Sequence, residues 1–133
     1  MPRAEILVVD ADAETQKRLR AGLRQEGWRV AAAFGAEEAR KILDILPHSP
    51  DAMLIAWSLP EQNGLSLARE LRKNPKWDQA VLALHGVPPD REAQYEVLES
   101  DKIASAYFTQ PARLAEIAAR LEGLLRTRRA AAR

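Results

Sequence analysis

A chain of 133 residues, 47% of them hydrophobic, is long enough to bury one core, and it reads as a single domain. With 20 Lys and Arg against 19 Asp and Glu, the net charge of +1 gives no overall field to recruit nucleic acid or an anionic membrane. The absence of cysteine excludes disulfides, thiolate metal sites and thiol nucleophiles; no apolar run nears the roughly 20 residues that cross a bilayer, and the charged opening from Met1 to Glu5 lacks a secretory pattern. The expectation is a protein of the cytoplasm, without membrane insertion.

Ile6-Leu7-Val8-Val9 is continuously apolar, as in a strand covered on both faces, and it stops at Asp10-Ala11-Asp12. The pattern then turns helical from Ala13 to Glu26, with Leu19 and Leu23 one turn apart among basic residues and Gly27 as the C-terminal cap. The cycle repeats with a strand over Trp28 to Ala33 and a helix over Ala36 to Leu46, whose Ala39, Ile42, Leu43 and Leu46 share one face before Pro47 and Pro50. Ala52 to Ala56 is a third buried strand. A loop with Pro60 and the turn pair Asn63-Gly64 leads to a helix over Leu65 to Lys73. A fourth strand covers Ala80 to Leu84, a helix Arg91 to Ser100, and a short fifth strand lies around Ala106-Tyr107-Phe108. Pro111 opens a last helix in which Leu114, Ile117, Ala118, Leu121 and Leu125 form one stripe.

Strands alternating with helices predict an α/β, doubly wound fold: a parallel five-stranded sheet of (βα)₅ type, because parallel strands need right-handed crossovers. The domain is expected to span 1–125, and 126–133 to be a basic Ala/Arg tail that either continues the helix or begins a linker. Sites in such sheets gather at the carboxyl ends of the strands, near the reversal of strand order. Here those ends carry Asp10, Asp12, Ala56, His85 and the Phe108-Thr109-Gln110-Pro111 segment.

In order and spacing, Ile6 to Asp10 with its acidic cluster, Pro50 to Ile55 leading to Leu59-Pro60 and Asn63-Gly64, and Tyr107-Phe108-Thr109-Gln110-Pro111 resemble the receiver domains of two-component response regulators, over roughly Glu5 to Leu125. The resemblance implies a CheY-like, flavodoxin-like fold. It also implies a phosphoryl-transfer site: an acceptor aspartate ending the third strand, Mg²⁺ held by carboxylates after the first, and a hydroxyl and a lysine on the phosphoryl oxygens. At the matching positions this chain has Ala56 for the acceptor, Ala11 for the second of the paired acids, His85 for the hydroxyl and Gln110 for the lysine, leaving Asp10. A methyl group is no nucleophile. The resemblance therefore supports the scaffold and removes its reaction, giving a pseudo-receiver that is not an enzyme, needs no cofactor and works by binding a protein.

Asp51 begins the third strand, roughly 16 Å from Ala56 at about 3.3 Å per residue, and so lies at the wrong end to replace the acceptor. Asp12 is the better displaced carboxylate, and phosphorylation there is one alternative reading. A small-ligand sensor in the space around Ala56 and His85 is another. Asp10 and Asp12 are read chiefly as solvated carboxylates near a helix N-terminus, with weak divalent-ion binding as the competing role. His85 is read as filling the space left by acceptor and metal, or as contacting Asp10 as a pH-sensitive group.

Tyr107 stands where receivers carry a switching aromatic. Its ordinary reading is a half-buried ring with its hydroxyl in water, and His85 is expected to obstruct its inward position. The expected partner face takes in Tyr95, Tyr107, Pro111 and Arg113. The partner is expected to be a protein, a second copy among the candidates, and not nucleic acid, with a C-terminal output or coiled-coil region attached. Trp57 is placed in the core or at the site's rim, and Trp77, in a polar stretch, either anchors a partner or caps the sheet.

Overall fold

The computed structural model describes residues 4–86, 103–108 and 113–131. The helix expected over Arg91 to Ser100 lies outside these residues, as do Tyr95, Gln110 and Pro111. In chain order the described elements are β1 (Glu5–Val9), α1 (Ala13–Gln25), β2 (Arg29–Ala33), α2 (Ala36–Ile45), β3 (Ala52–Ala56), α3 (Gly64–Arg72), β4 (Val81–His85), β5 (Ala106–Phe108) and α4 (Leu114–Ala131). The strands form one parallel sheet in the order β2-β1-β3-β4-β5.

Because side chains alternate across a sheet, each strand feeds two cores. Leu7, Val9, Met53, Ile55, Leu82 and Leu84 turn toward α2 and α3, meeting Ala39, Leu43, Leu67 and Leu71. Ile6, Val8, Leu54 and Ala83 turn the other way, onto Leu19 and Leu23 of α1 and Ile117, Leu121 and Leu125 of α4. All five residues of β3 are buried, as expected of a central strand covered on both faces.

One local feature differs from the sequence reading, and two alternatives left open there are decided. β4 begins one residue later than expected and includes His85, which pairs with Ala56. Trp77 is not an exposed anchor: it is 8% exposed, within the core that holds Leu71, Ala80 and Leu82, with the Lys76 ammonium 5.7 Å from its ring centre. The polar residues around it in sequence cap an apolar ring instead of displaying it. The last helix runs on through Leu125 to Ala131, and the Arg128 guanidinium donates to the Asp51 and Gln79 carbonyls at 3.2 and 2.5 Å, so this part of the basic segment is bound to the foot of the sheet.

Arg72 holds the same end from the other layer, donating to the carbonyls of Ile103, Asp78 and Ala80 at 2.9, 2.7 and 2.7 Å and joining the start of β4 to the approach to β5. At the opposite end, α3 starts against β3. Asn63 caps it by accepting from the Ser66 N–H at 2.8 Å, and a Cβ on Gly64 would press into the Ala56 carbonyl oxygen. Gly123, inside α4, has open space where a Cβ would stand. Gly64→Ala is therefore expected to cost about 1–3 kcal/mol. Gly123→Ala should gain up to about 1 kcal/mol by helix propensity. Urea unfolding of the two variants checks the contrast, and equal effects would contradict it.

Candidate functional site at the strand ends

The site is made by register. β1 pairs with β3 from Ile6↔Ala52 to Val9↔Ile55, and β3 with β4 as far as Ala56↔His85. The chain leaving β1, the end of β3 and the end of β4 therefore lie side by side, bringing Asp10, Ala56 and His85 together.

Asp10 is 5% exposed, which corrects the reading of it as a solvated carboxylate. Its N–H donates to the Ala33 carbonyl at 3.0 Å, fixing it to the end of β2. One carboxylate oxygen accepts from the Asp12 N–H at 2.8 Å, and the other lies 3.2 Å from His85 Nε2. That second contact has ion-pair distance without hydrogen-bond direction, since the Nε2 atom is buried and makes no aligned hydrogen bond. His85 faces Asp10.

Asp12 does a different job. It is the N-cap of α1, accepting from the Thr15 N–H at 3.1 Å and from the Thr15 hydroxyl. The Thr15 hydroxyl and backbone bonds hold the Asp12 carboxyl below its usual pKa. Ala11, between the two acids, is exposed. Sequence reasoning passed over Gln16, which is 0% exposed and donates from Nε2 to the Asp10 and Ala33 carbonyls at 3.2 and 2.9 Å. The signal was available: Gln16 stands three and seven residues before Leu19 and Leu23, on the buried stripe of the helix.

Ala56 is buried, and the next residue is tied to both neighbouring segments. Trp57 donates its N–H to the His85 carbonyl at 2.8 Å and accepts from the Gly64 N–H at 2.7 Å. Its indole meets Tyr107 edge to face, with ring centres 6.1 Å apart. The Tyr107 hydroxyl is not left to water: it donates to the Gly86 carbonyl at 2.7 Å. Gly86 has φ 111°, a conformation that favours glycine, and its N–H donates to Phe108 at 3.0 Å. Among the expected partner-face residues, Arg113 is exposed and Tyr107 half-buried.

As a donor set these groups do not suit Mg²⁺, which asks for several oxygens in octahedral array. Asp10 already accepts from Asp12 and faces an imidazole, Asp12 caps a helix, and Ala56 has no side-chain oxygen. Among the described residues, no three of His, Asp and Glu converge as metal ligands. A surface groove of about 400 Å³ between Phe34, Glu38, Lys41, Pro60 and Glu61 lies away from Ala56.

Fold and strand order belong to one class, and residues 6–122 match the family model of the response regulator receiver domain. The chain belongs to this family. It is 32% identical over 122 residues to the transcriptional regulatory protein CpxR of Escherichia coli, covering 92% of this chain and 49% of that protein. It is 34% identical over 125 residues to the transcriptional regulatory protein PrrA of Mycobacterium tuberculosis, covering 92% and 50%. The chain thus spans about half the length of these relatives. The CheY-like receiver domain protein of Methanospirillum hungatei shares the fold with a TM-score of 0.84 at 20% identity, covering 96% of this chain and 98% of that one. No described helix is long and apolar enough to cross a membrane.

Burial pushes the Tyr107 hydroxyl up to about 12, because the phenolate is disfavoured there. The folded state thus favours the neutral phenol. Its contribution is complete below the unfolded value of about 10 and is lost as pH rises through about 12. Tyr107→Phe should remove a tyrosinate step near pH 12 from an ultraviolet titration and lower stability by about 0.5–1.5 kcal/mol at neutral pH. Persistence of that step in the variant would contradict the assignment.

Proposed function

We propose that this receiver domain is a pseudo-receiver: it accepts no phosphoryl group, is not an enzyme, and presents a fixed surface to a protein partner in the cytoplasm. One observation carries the proposal. The side chain ending β3 beside Asp10 and His85 is the buried methyl of Ala56, at the position where the family's resemblance places the acceptor aspartate. The surroundings support it: the second acid position is the exposed Ala11, Asp12 is engaged in capping α1, and a histidine fills the hydroxyl position.

The partner face is built from β5 and the start of α4, where Tyr107 and Arg113 lie. The curated relatives are named as transcriptional regulatory proteins about twice this length. By that analogy the domain is attached to a C-terminal output or coiled-coil region, and its own role is protein docking, not nucleic-acid binding. Because the site is set without phosphate, docking should be constitutive and depend on how much of the protein is present.

Intact mass after incubation with acetyl phosphate and Mg²⁺, beside a competent receiver, tests the chemistry. The mass should stay unchanged. A stable phosphoryl adduct would refute the proposal, and peptide mapping would then decide whether Asp12 carries it. Once a partner is in hand, Tyr107→Ala and Arg113→Glu should weaken binding more than Asp10→Ala; equal losses would count against this face.

A further inference from the structure

β2 is an edge strand, and its outer side is unpaired among the described residues. Arg29 directs its N–H to the Ala4 carbonyl, and Ala33 accepts from the Asp10 N–H, so both turn their backbone groups inward. By the alternation of a parallel ladder, Val30 and Ala32 turn theirs outward. Soluble proteins usually protect such an edge with lysine, proline, a bulge or a covering loop. This strand reads Arg-Val-Ala-Ala-Ala, with one charge at its start and small side chains that leave the backbone open.

Exposed apolar side chains follow β2 and end the helix after it. Phe34 and Ile45 are the exposed large hydrophobic residues among those described, at 47% and 80%. Phe34 follows β2 directly, and Ile45 ends α2, whose Ala39 and Leu43 share a core with Ala33 of β2. Beneath the start of β2 lies a shallow groove of about 160 Å³ between Ile6, Arg29, Val30, Leu46 and Pro50.

We infer that this edge pairs with β2 of a second copy of the chain, antiparallel about a two-fold axis near Ala31, joining the two sheets into one. Charge selects the copy and its direction. Arg29, 65% exposed and ion-paired with Glu5 of β1 at 3.1 Å, stands at the start of the strand, while Glu37, which faces Lys41 at 3.5 Å, and Glu38 open α2 just past its end. Antiparallel pairing brings each Arg29 toward the acidic end of its partner, whereas parallel pairing would set Arg29 against Arg29. Centring on Ala31 places Val30 opposite the partner's Ala32, where the two exchange both hydrogen bonds, giving roughly four across the axis. The same register brings Phe34 of each copy to the start of the other's β2, beside the groove. The pairing uses one surface on both copies, so it closes as a dimer. The face formed by β5 and α4 stays free, so this association and the proposed docking are tested separately.

Sedimentation velocity of the full chain from micromolar to near-millimolar concentration is the test, with Ala32→Pro and Phe34→Glu as variants. Proline at Ala32 deletes an outward N–H that serves no bond within the sheet, and Phe34 is half exposed, so both variants should keep the circular dichroism of the parent. The parent should show a concentration-dependent monomer–dimer equilibrium, weakened roughly tenfold or more in each variant. A parent that remains monomeric throughout, or a dimer that survives both substitutions, would overturn the inference.

Discussion

The shared register of β1, β3 and β4 is the constraint from which the rest of this structure follows. β3 is buried along its whole length, so it cannot slip without exchanging the residues of one core for those of the other. With that register fixed, Asp10, Ala56 and His85 meet at the carboxyl edge whatever their chemistry. Gly64 then seals the edge, because only a residue without a Cβ lets α3 start this close to the Ala56 carbonyl. The scaffold delivers side chains to a site, and the substitutions decide what the site does.

On the proposed reading, what it does here is hold itself in one arrangement. Asp10 is nearly buried and has four ties: its N–H donates to Ala33, its carboxylate accepts from Asp12 and faces His85, and its carbonyl accepts from Gln16. Burying such a pair of ionisable groups seldom adds much net stability, since desolvation offsets the attraction, but removing one partner strands the other. The pair's value here lies in fixing one arrangement. The same holds one strand over, where Trp57 and the Gly86 carbonyl engage the ring and the hydroxyl of Tyr107. His85 joins the two halves, facing Asp10 with its ring and accepting from Trp57 with its backbone.

Much of this was legible in the sequence, for reasons that also explain what was not. The apolar runs at Ile6 to Val9 and Ala52 to Ala56 have the length and boundaries of strands covered on both faces, and the three-and-four spacing of Leu114, Ile117, Leu121 and Leu125 is that of one buried stripe. Even the three-residue β5 was visible, between two changes of pattern. The side chains misread or left open were those whose environment is set by distant residues. Trp77 sits among polar neighbours in sequence but against Leu71 and Leu82 in space. The Tyr107 hydroxyl finds a carbonyl that only the turn at Gly86 presents. Asp10 and Asp12, two residues apart, look alike as letters, yet one is buried under a histidine and the other caps a helix in solvent. Asp12 followed by Thr15 was itself a capping signal that local reasoning can use.

The central claim is that the strand-end site already occupies its single working state. Amide NMR spectra of the chain, recorded while adding Mg²⁺ with a phosphoryl mimic such as beryllium trifluoride, test this most directly. The account predicts that the resonances of Asp10, Gly86 and Tyr107 do not move. Saturable shifts spreading from Asp10 through Gly86 and Tyr107 into α4 would contradict it, by revealing a ligand-driven second state in a site described here as fixed.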